Sequence, residues 1–116
     1  MNKVIDISSM INAEEPQLAL FGKTYKVKND HKTMLLFNEL QRKFDEKTKN
    51  GEDVPDADEK IFKLLLGDTA GKEVTELLEN TPNYIENTKV VMLNIVALAT
   101  GEDYETLQRR FQNANR

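Results

Sequence analysis

The stretch Leu18-Ala19-Leu20-Phe21-Gly22-Lys23-Thr24-Tyr25-Lys26-Val27 decides the fold class, because it reads firmly as a pair of strands in an otherwise helical chain. Two short runs flank Gly22-Lys23, and glycine at the first turn position suits a type II′ hairpin turn. A two-residue loop there sets Phe21 against Thr24, Leu20 against Tyr25 and Leu18 against Val27. Strand alternation gathers Leu18, Leu20, Tyr25 and Val27 on one face. An isolated hairpin is marginal in water, so this apolar face needs a cover. The helix that follows is the expected cover, through Leu36, Phe37, Leu40 and Phe44, and the same hairpin face is a candidate partner-binding surface.

Outward from the hairpin the pattern is helical. Asn29 or Asp30 caps a helix that runs to about Thr48, before Asn50-Gly51 stops it. After a polar loop at 49–56, Asp56-Ala57-Asp58-Glu59 resembles a capping box, and the helix it opens carries Ile61, Phe62, Leu64, Leu65 and Leu66 before Gly67. A further short helix spans roughly Ala70 to Glu79 with Val74, Leu77 and Leu78 inside. Thr81-Pro82 reads as a restart, with Thr as cap and Pro at the first helical position. From Tyr84 to Ala99 the helix becomes apolar almost all round, which places it centrally in a core or under a partner. After Thr100-Gly101, a last helix from Asp103 carries Tyr104, Leu107 and Phe111 on one stripe, closing the core or docking on a neighbour. The expected class is α+β, predominantly helical: an N-terminal β-hairpin packed on a bundle of about four to five helices, all within one domain over residues 18–116.

Residues 1–17 are the least committed segment and read as a flexible or conditionally ordered arm. Val4, Ile5 and Ile7 carry a short strand signal that could add to a hairpin edge, its own or a neighbour's. Such head-to-tail addition makes rings or open spirals. The segment has no unbroken apolar core of the kind a secretory signal needs, so an intracellular site is expected.

Composition removes several function classes. Basic residues number 16 against 20 acidic ones, and the resulting net charge of −4 disfavours a general nucleic-acid binder. The acidity is concentrated: residues 1–50 carry nine basic and seven acidic side chains, whereas residues 51–116 carry seven and thirteen. Glu52, Asp53, Asp56, Asp58 and Glu59 form the densest part, read as a solvated loop and helix start, or as a dock for a basic partner. Arg109, Arg110 and Arg116 make only a thin basic face. No cysteine is present, so thiolate metal sites and cysteine nucleophiles are excluded. No membrane span is expected.

Gly67-Asp68-Thr69-Ala70-Gly71-Lys72 invites comparison with a phosphate-binding loop. Its glycines are one residue too close, Glu73 stands where Ser or Thr should hold magnesium, and a helix precedes it in place of a strand. Asp53, Asp56 and Asp58 suggest calcium, but counting from Asp56 puts Ile61 at the sixth position and Gly67 at the twelfth. His31 lacks a marked catalytic partner. No catalytic residue, cofactor or metal site is expected.

The order of elements, with the hairpin around Phe21-Gly22-Lys23-Thr24-Tyr25-Lys26-Val27 and the closing block VVMLNIVALATGEDYETLQRRF from Val90 to Phe111, resembles the small tail assembly chaperones of long-tailed (siphovirus-type) phages and prophages, especially those of Gram-positive hosts. The resemblance covers about residues 18–112. It implies a non-enzymatic protein of the bacterial host cytoplasm that coats the tape measure protein, helps recruit tail tube subunits and self-associates into an open or ring-like oligomer. It also implies that this chain is a short form, or the N-terminal part, of a frameshifted pair. The family offers no catalytic residues to transfer. Exposure arguments place partner binding on Leu18, Leu20, Tyr25 and Val27, on Tyr104, Leu107 and Phe111, and on the arm residues Val4, Ile5 and Ile7. The alternative is another phage or bacterial interaction protein, such as a tail or head completion component or a small regulator.

Overall fold

In the computed structural model, which describes residues 3–114, strands β1 (Gln17–Leu20) and β2 (Lys23–Lys26) pair antiparallel with Leu18 opposite Tyr25 and Leu20 opposite Lys23. The turn therefore sits on Phe21-Gly22, one residue earlier than expected. Both turn residues have positive φ, 50° and 79°, as a type I′ turn requires. Each partner shifts by two residues, and an even shift keeps every side chain on its face. Leu18, Leu20, Tyr25 and Val27 consequently still share the inner face, now joined by Lys23. The ladder extends one step beyond the strands, Val27 N–H donating to Pro16 O at 2.8 Å.

Phe21 is 65% exposed and holds a left-handed conformation that disfavours a side chain of its type. Phe21→Asn should raise stability by about 0.5–1 kcal/mol, a gain of a few degrees in a thermal melt.

Five helices follow among the described residues: α1 (His31–Lys49), α2 (Ala57–Leu66), α3 (Asp68–Glu79), α4 (Tyr84–Thr100) and α5 (Tyr104–Ala114). The α+β, mostly helical architecture is the one expected from the sequence. Phe62, Leu65, Val74, Leu78 and Ile95 make its centre, with Val27 of the hairpin and Phe37 of α1 sealed against them.

The cover of the hairpin differs from expectation. It rests on α4 through β1, and Lys28 N–H donates to the carbonyl of Leu65 near the end of α2 at 2.7 Å. The face of α1 is also rotated. Thr33 and Phe37 are buried, with Met34, Leu40 and Phe44 packed beside them, while Leu36 is 48% exposed. At about 100° per residue Leu36 falls a quarter turn from Phe37, off the stripe that α2 covers.

Two glycines shape the α2–α3 corner. Gly67, at φ 96°, ends α2 with its N–H on Lys63 O and starts α3 by accepting Gly71 N–H. Gly71 lies inside α3 where the helix crosses α2. A Cβ there would come within 2.5 Å of Lys63 N and Cα. The phosphate-loop look-alike is thus a helix break followed by a helix crossing, and α3 starts at Asp68, two residues earlier than expected.

Other helix starts also depart from expectation. Asp56 occupies the cap position of α2 without a side-chain capping bond, and Glu59 pairs with Lys63 at 3.1 Å. Thr81 does not cap α4. Its hydroxyl donates to Leu78 O at 2.7 Å, closing α3, and α4 begins only after Asn83, which adopts a left-handed conformation. Gly101 ends α4 as expected, its N–H on Ala97 O.

The arm forms no strand among the described residues. Asp6 Oδ1 accepts both the N–H and the hydroxyl of Ser8, at 2.9 and 2.6 Å, and bends the chain into a single 3-10 turn at Ser8–Met10. The arm extends away from the core. The radius of gyration is 16.8 Å, against about 13 Å for a compact domain of this length.

Candidate binding groove

The hairpin face proposed from sequence is occupied within the chain. Tyr25 and Val27 are buried, and Leu18 and Leu20 are half-buried where they pack against the core. A polar latch reinforces the arrangement. Glu73 of α3 accepts hydrogen bonds from Lys23 Nζ at 2.7 Å and from Tyr25 OH at 2.9 Å, and Lys23 lies 5.6 Å from the Tyr25 ring centre. The Lys23 hydrogen bond, then that of Tyr25, holds the Glu73 carboxyl below its ordinary range, while burial foremost raises the Tyr25 phenol. A lowered folded-state pKa gives stability that is complete above the unfolded value and lost as pH falls through the folded one. Glu73→Gln should therefore lower the urea midpoint at pH 7, and the gap to the parent chain should narrow steadily as the pH falls through the acidic range.

Helix α4 carries two apolar faces. Thr88, Val91, Ile95 and Ala99 point inward and are buried. About a quarter turn away, Ile85, Lys89, Met92 and Val96 recur at helical spacing along an open groove, with Leu93 beside them. The groove measures about 610 Å³ and runs between α1, α2, α4 and α5. Phe44 and Ile61 contribute its apolar wall from α1 and α2, and Leu107 closes the α5 side. Of the expected α5 stripe, Leu107 is thus buried at the groove edge and Tyr104 is half-buried, while the Phe111 side chain lies outside the described residues.

The groove is polar at its rim. Asp45 and Asp58 stand on the α1–α2 side, Lys89 and Arg110 on the α4–α5 side. Arg110 pairs with Glu102 at 2.8 Å, tying α5 to the turn that joins it to α4. Asp58 is exposed as a residue, yet the crowding round its carboxyl raises its pKa through desolvation. Thr88 adds a hydroxyl that is buried with no hydrogen-bond partner among the described residues. Thr75 and Thr100 instead donate to the carbonyl four residues back. An apolar trough with a charged rim and one unsatisfied hydroxyl suits a polypeptide helix laid along it.

No family model matches this sequence, and no curated protein or solved structure does either. The groove is therefore read from its own chemistry. Among the described residues no helix is long and apolar enough to cross a membrane, and no His, Cys, Asp or Glu cluster could hold a metal ion. Of the expected binding residues in the arm, Val4, Ile5 and Ile7 are exposed, as are their neighbours Met10 and Ile11. The groove itself escaped the sequence reading. Its signal was the all-round apolar character of residues 90–99, which marks a second face without saying which helices flank it.

Proposed function

We propose that this chain is a non-enzymatic tail assembly chaperone of the bacterial cytoplasm, covering the tape measure protein and helping recruit tail tube subunits while the tail forms. The observation that carries this reading is the open apolar groove on the outer face of α4. A tape measure protein is a long helix that must stay soluble before the tube surrounds it, and an apolar trough takes an amphipathic helix through anchors at i, i+3, i+4 and i+7. Met92 gives the groove a flexible lining that tolerates varied side chains along such a partner. The test is co-expression with the tape measure protein of the same phage or prophage. A soluble complex is expected with the parent chain and not with Leu93→Asp; a tape measure protein that stays equally insoluble beside either would overturn the reading.

A further inference from the structure

We infer that the N-terminal arm of one copy docks in the α1–α2–α4–α5 groove of a second copy, so that copies join head to tail until a partner helix displaces the arm. The inference rests on the groove being a polypeptide-binding site.

The arm supplies the matching surface. Val4 is 88% exposed and Met10 81%, and Ile5, Ile7 and Ile11 are exposed between and beside them. Apolar exposure this dense is the mark of an interaction segment. The arm is also locally ordered. Met10 N–H donates to Ile7 O at 2.9 Å and Ile11 N–H to Ser8 O at 3.2 Å. Side chains three apart nearly eclipse in a 3-10 turn, so Ile7 and Met10 project together as a paired anchor. A turn already formed loses less entropy on docking.

Charge fits as well. The arm carries Lys3 beside Val4-Ile5, and the groove presents the carboxylates Asp45 and Asp58 along its α1–α2 rim. Residues 12–16 form a tether of about 17 Å when extended, enough to carry the anchor clear of its own hairpin. The arm meets a surface unlike itself, so the contact is heterologous and propagates into a ring or an open spiral.

Sedimentation velocity on the full chain tests this through complementation. The parent chain should grow in mean mass with concentration. An arm variant, Ile5→Asp/Ile7→Asp, and a groove variant, Leu93→Asp, should each lose about tenfold or more in association constant and sediment as monomers. Mixed one to one, they should give a dimer and nothing larger, because only one intact arm and one intact groove remain. Ile85→Asp, at a 68% exposed groove position, replaces Leu93→Asp if the latter fails to fold. Several results would overturn the proposal: a monomeric parent chain at all concentrations, including one whose arm amide signals respond to Leu93→Asp and so reveal docking on its own groove; assembly indifferent to the arm variant; or no dimer in the mixture. Titration of the arm variant with an amphipathic helical peptide separates the two readings. Peptide binding without arm-dependent assembly defeats the arm proposal alone, and no peptide binding defeats the groove as well.

Discussion

Gly71→Ala is expected to destabilise the chain by about 2 kcal/mol, lowering the melting temperature by about 10 °C. In an exposed helix the same change would help, since alanine is a better helix former than glycine by about 1 kcal/mol. Here the new methyl would lie 2.5 Å from Lys63 N and Cα and 2.7 Å from the Phe62 carbonyl carbon. These are backbone atoms, so no side chain can rotate aside. Relief requires α2 and α3 to separate, which loosens Phe62, Leu65 and Val74 together. Overpacking of a filled core costs about 1–3 kcal/mol, and a backbone neighbour puts this site at the upper end before the propensity gain is subtracted. A melting temperature within about 2 °C of the parent chain would show that the two helices do not cross at Gly71.

Ile95→Ala is the second large effect, expected to cost about 2–5 kcal/mol. Ile95 is fully buried on the inner stripe of α4, and removing three carbons leaves a cavity between that helix and the core. Ile85→Asp on the same helix introduces a charge yet should change stability by only about 0.5 kcal/mol, because its site is solvated. Chemical denaturation of the two variants side by side distinguishes a helix with one folding face and one free face from a helix buried all round. Equal losses would point to the second arrangement.

This division of α4 shows where sequence reading reached its limit. Val90, Met92, Leu93 and Val96 announce an excess of apolar surface, but they do not say whether α1 and α5 close over it or leave a trough. That depends on how four helices meet, and no local pattern encodes it. The hairpin was legible for a different reason: parity of alternation survives a two-residue change of pairing, so its inner face was identified although the turn was misplaced. Its cover was not legible. Leu36 looked as apolar as Phe37, and the acceptor of the Tyr25 hydroxyl, Glu73, lies 48 residues away. Glycine stops at Gly67 and Gly101 were read correctly because they act within one turn of backbone. Gly71 was not, because its reason is a neighbouring helix. The arm forms no strand on its own hairpin among the described residues, because Asp6 turns onto Ser8, a local bond that competes with extended pairing.

The most direct test of the groove as a docking site is fluorescence anisotropy with a labelled amphipathic helical peptide carrying apolar residues at i, i+3, i+4 and i+7. The parent chain should bind it. Leu93→Asp should bind at least about tenfold more weakly while keeping the helical circular dichroism of the parent chain. Equal affinity in both, or no binding by the parent chain, would contradict the assignment of this groove.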